Sequence, residues 1–175
     1  GISGYIGLHC AKILLEKGYT VVGTVRSTKK EEEVIKTLNS NSVSIENLSF
    51  THLDLSSDKG WDSALSNCNY VMHVASPFTV ENPKNDSDML GPAVDGTLRV
   101  LKAAKKNGVK RVVLTSSTVA MMGGKKTGTI TPDDWSDLNS KNISTYFSGL
   151  GTSLTKAEDY EMFSGDYWND FANSF

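Results

Sequence analysis

The chain has 175 residues, with 18 Lys and Arg against 20 Asp and Glu, and its apolar share of 38% is enough for one domain with a sizeable core. A net charge of 18 − 20 = −2 gives no support for nucleic-acid binding, and no apolar run is long enough to span a bilayer. The two cysteines, Cys10 and Cys68, lack metal-ligand spacing and read as free thiols in a reducing compartment, which points to a cytoplasmic protein with no metal centre.

The chain opens on Gly1-Ile2-Ser3-Gly4-Tyr5-Ile6-Gly7, glycines spaced G-x-x-G-x-x-G. Such a run normally follows a buried strand and opens a helix. Here only the helix follows, so the sequence predicts a unit lacking its first strand. Gly1 would turn the chain sharply, Gly4 would let the backbone approach a pyrophosphate, and Gly7 would let the helix pack closely on a sheet. The unpaired N–H groups at Tyr5 and Ile6, with the positive end of the helix dipole, suit an anion. A helix follows with Ile6, Cys10, Ile13, Leu14 and Leu15 as its apolar side, and Gly18 as its stop. A glycine-rich turn with no ligand is the plain alternative.

A strand is predicted over 20–25, rich in β-branched residues, then a helix from a Ser27 cap to about Leu38, with a polar loop over 39–47. A strand over 48–53 ends at Asp54-Leu55, and a short helix covers roughly 59–66. A strand over 70–75 stops at Ser76-Pro77. A long helix runs over 86–106 with Leu98, Val100, Leu101 and Ala104 inward, and a strand covers 111–116. After Thr118 the pattern weakens: 121–132 reads as a Gly/Lys/Thr loop, and 148–175 is atypical, with a helix near 153–163. There is no repeat and no second domain, so the chain reads as one incomplete domain over 1–175.

Short apolar strands alternating with helices imply an α/β fold, a doubly wound parallel sheet. Right-handed crossovers then align the strand ends along one edge, where ligands bind. Gly1–Gly7, Arg26, Asp54, Val74-Ala75-Ser76 and Ser116-Ser117 all lie at predicted strand ends.

Five stretches carry a resemblance: GISGYIGLHCAKILLEKGYTVVGTVRS, THLDL at Thr51–Leu55, VMHVASPF at Val71–Phe78, AVDGTLRVLKAA at Ala93–Ala104 and RVVLTSS at Arg111–Ser117, joined by DDWSD at Asp133–Asp137. Over about the first 147 residues the chain resembles the extended short-chain dehydrogenase/reductase family, in its dihydroflavonol reductase, cinnamoyl-CoA reductase and ketone/aldehyde reductase branch. The resemblance implies a Rossmann fold, here without its C-terminal substrate region, and NAD(P)H-dependent reduction of a small-molecule carbonyl. It also admits a homodimer.

NAD-preferring sites place an acid after the second strand for the ribose 2′-OH, and NADP sites place a cation for the 2′-phosphate. This chain has Arg26 there, followed by Lys29 and Lys30. A guanidinium can grip a phosphate in bidentate fashion, so NADPH is the expected cofactor. A solvated basic turn is the other reading. The resemblance further implies that Asp54 accepts from the adenine amino group beside Leu55, although Asp54 is equally suited to cap the Ser56–Lys59 turn. Val74, Ala75 and Ser76 are small enough for a cofactor ribose to lie against their backbone. His73 reads as a satisfied core histidine.

In this family a Ser bonds the substrate carbonyl and a Tyr donates the proton. A Lys four residues after that Tyr lowers its pKa from about 10 and binds the nicotinamide ribose. Ser117 fits the serine, with Ser116 as alternative, and Tyr146 fits the tyrosine. Four residues after Tyr146, however, stands Leu150, and four before Lys156 stands Thr152. Three explanations stay open. Catalysis has been lost, or Tyr146 and Lys156 meet through a loop at Gly149–Gly151, or this segment departs from the natural protein. The first reading is thus an NADP-dependent carbonyl reductase, and the second a catalytically inactive Rossmann subunit of a larger assembly.

Overall fold

The computed structural model describes residues 1–76, 87–116, 119–122, 128–131 and 133–136. The elements in chain order are α1 (Tyr5–Glu16), β1 (Val21–Val25), α2 (Thr28–Ser40), β2 (Leu48–His52), α3 (Trp61–Leu65), β3 (Tyr70–His73), α4 (Ser87–Lys106), β4 (Arg111–Leu114) and α5 (Val119–Met122). Residues Gly1–Pro77 with Asp95–Thr115 form one compact unit, which holds β1 to β4; α5 and the described residues around 128–136 belong to a second.

The strands pair in parallel, as their alternation with helices requires. β1 pairs with β2 from Val21 opposite Leu48 to Val25 opposite His52. β3 pairs with β4 from Tyr70 opposite Arg111 to His73 opposite Leu114. The expected single sheet is therefore present as two two-stranded ladders. Gly1 and Ile2 lie against both: the Ile2 amide donates to the Thr24 carbonyl oxygen at 3.2 Å, and Gly1 sits against Ala75, just beyond β3.

Each ladder has its own core. Around β1 and β2, Ile2, Ala11, Leu15, Val25, Val34, Leu38 and Val43 are buried together. Around β3 and β4, Leu53, Trp61 and Leu65 meet Val100, Ala103 and Ala104 of α4. Leu38, only 2% exposed, contributes roughly 1.5–3 kcal/mol by leaving water. Val43 shows that the polar 39–47 stretch is more than a surface loop, since it returns one side chain to the core.

Several details differ from the expectations. The buried face of α1 is Gly7, Ala11 and Leu15, while Ile6 and Ile13 are about half exposed. Two small residues spaced i and i+4 let the helix approach its neighbours closely, and that outweighed the apolar count. Gly18 does stop α1: at φ +78° its amide donates to Leu15 O at 2.9 Å, while the Tyr19 amide reaches Leu14 O at 3.0 Å. Ser27 occupies the N-cap position of α2 but makes no side-chain cap; its carbonyl oxygen instead accepts from the Lys30 and Glu31 amides. In α4, Val100 and Ala104 are buried as expected, but Leu98 and Leu101 are only partly covered and Ala103 takes an inward place. Met121, expected in a loop, falls in α5, where Ala120 is fully buried and its carbonyl accepts from the Ser136 amide at 2.8 Å.

Candidate functional site

The glycine turn is built tightly. The Gly4 amide donates to the Gly1 carbonyl at 3.2 Å, and Gly4, at φ −79° and ψ 159°, is the N-cap of α1. A Cβ on Gly7 would fall on the Gly1 carbonyl oxygen and 3.1 Å from the Ile2 Cα, so only glycine fits there. A Cβ on Gly4 would meet only the Gly1 oxygen, at an ordinary 3.6 Å. No side chain caps α1 and no acid stands in its first turn. Among the described residues, the Tyr5, Ile6 and Gly7 amides have no backbone acceptor. Three free donors and the positive helix end make this turn a fit for an anion. Tyr5 is 81% exposed beside it, its ring edge-on to His9 at 4.6 Å.

Three other strand ends gather on this turn. Gly1 is tied to β1, its amine donating to Thr24 Oγ1 at 2.6 Å, and a Cβ on Gly1 would lie 2.8 Å from the Ala75 Cβ. Arg26 also lies close enough to Gly1 to act on it electrostatically. Asp54 accepts from the Ser56 hydroxyl at 2.6 Å and from the Ser56 amide at 2.8 Å, both on Oδ1. Those bonds, with Arg26 as a lesser cause, hold its carboxyl below the usual range. Arg26 is thus electrostatically close to both Gly1 and Asp54. The Leu53 amide donates to Val25 O at 2.9 Å, which joins the ends of β1 and β2 directly.

Gly1, Gly4, Gly7, Arg26, Asp54 and Ala75 therefore meet in one region, with Tyr5, Ile6, Leu55, Val74 and Ser76 beside them in sequence. The turn expected at Asp54 is present as an Asx turn. Arg26 is exposed and has no ion pair among the described residues. Lys30 is engaged on its own helix, Nζ to Glu33 Oε2 at 2.6 Å, which also lowers the Glu33 pKa. His73 is buried, its Nε2 3.4 Å from Thr97 Oγ1, and burial pushes its pKa down to about 4. Ser117, Tyr146 and Lys156 lie outside the described residues. Sequence reasoning passed over Gly96 and Arg99 of α4, which hold Leu55. A lone glycine inside a predicted helix was the available signal.

Residues 1–147 match the family described as NAD dependent epimerase/dehydratase. The chain belongs to this family. It is 37% identical over 120 residues to a dihydroflavonol 4-reductase of Dianthus caryophyllus, covering 67% of this chain and 32% of that protein. It superposes on Gre2 of Candida albicans in complex with NADPH at a TM-score of 0.70 and 32% identity, covering 100% of this chain and 52% of that one. It also superposes on yeast methylglyoxal/isovaleraldehyde reductase Gre2 complexed with NADPH, at a TM-score of 0.72 and 25% identity, covering 99% of this chain and 52% of that one. The fold is a Rossmann fold, and the likeness to the dihydroflavonol reductase branch holds. The chain spans less than half the length of the curated relatives it matches and about half that of the solved ones. Among the described residues, no helix is long and apolar enough to cross a membrane.

Proposed function

We propose that this family member binds NADPH and belongs to an oxidoreductase that reduces a small ketone or aldehyde. One observation carries the cofactor choice: at the end of β1 stands Arg26, a cation without an ion-pair partner among the described residues, where an NAD site would place an acid. The free Tyr5, Ile6 and Gly7 amides would hold the pyrophosphate, and Arg26 with Lys30 the 2′-phosphate. Asp54 and Leu55 would hold the adenine, and Val74, Ala75 and Ser76 the ribose on the nicotinamide side. When bound, NADPH supplies a hydride. Ser117 would hold the carbonyl oxygen, and Tyr146 assisted by Lys156 would deliver the proton. The two similar solved structures that hold NADPH support the choice of cofactor. The free thiols Cys10 and Cys68 fit a reducing compartment such as the cytoplasm.

The second reading, a nucleotide-binding subunit without catalysis, rests on Leu150 and Thr152 standing where a Tyr-x-x-x-Lys pair would need Lys and Tyr. Loss of an acid's activating partner typically costs about 10²–10⁴ in rate. NADPH oxidation by the full-length protein with a panel of aldehydes and ketones separates the two. Turnover that disappears in Ser117→Ala supports the reductase. NADPH binding without turnover supports the subunit, and activity retained in Ser117→Ala removes Ser117 from the reaction.

A further inference from the structure

We propose that Arg99, together with Gly96, is a positioning residue: α4 uses the pair to set the loop 54–58, and through it the affinity for the adenine half of the cofactor. This rests on the reading of Asp54 and Leu55 given above. Arg99 lies on α4, whose C-terminal part packs against α3. Its side chain is only 21% exposed. Nη1 donates to the Leu55 carbonyl oxygen at 2.6 Å, and Nε donates to Asp58 Oδ1. One guanidinium thus grips the loop at two points three residues apart, using the planar fork that lysine lacks.

Gly96 acts one turn earlier on the same helix face. A Cβ there would lie 2.8 Å from the Leu55 Cβ and 3.2 Å from the Leu55 oxygen. The helix backbone therefore forms a wall against Leu55 while Arg99 holds its carbonyl. A glycine inside a helix costs about 1 kcal/mol relative to alanine, and close approach to Leu55 is the structural return for it. Between the two fixed points lies the Asx turn of Asp54, whose Oδ1 is taken by Ser56. Neither of those bonds uses Oδ2. The loop's internal bonds shape the turn, and the bonds from α4 fix where it sits.

The experiment compares wild type, Arg99→Ala, Arg99→Lys and Asp58→Asn. The probe is adenosine 2′,5′-bisphosphate, the adenine half alone, titrated by calorimetry. Amide hydrogen exchange over residues 53–60 is followed without nucleotide. Arg99→Ala should weaken the probe about 5–20-fold and speed exchange in the loop, from the loss of one charge-assisted bond to a carbonyl and a partly exposed ion pair. Arg99→Lys should recover part of the loss by reaching the Leu55 oxygen alone. Asp58→Asn, whose carboxylate is 86% exposed and whose change leaves the core alone, should cost about twofold. In full-length protein that turns over, Arg99→Ala should raise the KM for NADPH with kcat unchanged, a split that general destabilisation would not give. Unchanged probe affinity and unchanged loop exchange in Arg99→Ala and Asp58→Asn overturn the inference while leaving the crevice standing. Failure of wild type to bind the probe removes the crevice reading and this inference with it.

Discussion

Gly4 and Gly7 are one helical turn apart in a single motif, yet the structure gives them separable jobs, and alanine should expose the difference. At Gly7 a methyl would land on the Gly1 carbonyl oxygen and 3.1 Å from the Ile2 Cα, both backbone that no rotamer change can clear. The turn must then move away from α1, and Ile2 moves with it out of a core it shares with Ala11 and Val25. Overpacking of this kind costs about 1–3 kcal/mol. For a chain of this size that lowers Tm by roughly 4–8 °C at the middle of the range. At Gly4 a methyl meets one oxygen at 3.6 Å, and φ −79° with ψ 159° suits any residue. The weaker N-cap of alanine is offset by a less flexible unfolded chain, so stability should change by less than about 0.5 kcal/mol. In the proposed site Gly4 is where the backbone must come close to the pyrophosphate, and a methyl there would hold the phosphate away from the turn. Gly4→Ala should therefore melt like wild type and bind NADPH at least about tenfold more weakly, whereas Gly7→Ala should melt early. Thermal denaturation and calorimetry on the two variants check this. The reasoning is refuted if Gly4→Ala binds NADPH as tightly as wild type, or destabilises the chain as much as Gly7→Ala.

Other consequences can be measured on the same protein. Arg26→Ala should remove most of any preference for NADPH over NADH while leaving NADH affinity unchanged; parallel losses for both nucleotides would contradict a 2′-phosphate role. Glu33→Gln should tighten NADPH about twofold, because it frees Lys30 from an exposed pair with both partners 46% accessible; weaker binding would count against Lys30. His73 has a depressed folded-state pKa of about 4, so the stability linked to its neutral form is fully present above about pH 6.5 and is lost as pH falls toward 4. Urea unfolding should show wild type losing roughly 2–3 kcal/mol relative to His73→Gln across that window. A constant difference between the two would refute the assignment.

The sequence disclosed the order and type of the elements from β1 to β4 because each signal was local: β-branched runs for the strands, charged turns for α2, Gly18 for the end of α1. Positions set by long-range packing were harder to read. Ile6 and Ile13 look like core residues by hydrophobicity, yet α1 buries Gly7 and Ala11, since a small face allows closer approach than a bulky one. Ser27 has the chemistry of a cap and stands at the N-cap position of α2, but its side chain makes no cap bond. The convergence of strand ends on which the proposed crevice rests was legible because parallel topology brings those ends together. What holds the 54–58 loop was not legible, because Arg99 and Leu55 are 44 residues apart and meet only in the folded chain.

The central claim, an NADP crevice built on the Gly1–Gly7 turn and Arg26, is tested most directly by calorimetric titration of the wild-type protein with NADPH and NADH under identical salt. The charge-assisted contacts available to a 2′-phosphate are worth about 1.5–3 kcal/mol, and 1.4 kcal/mol corresponds to tenfold. NADPH should therefore bind at least about tenfold more tightly than NADH. Equal affinities, or tighter binding of NADH, would contradict the account.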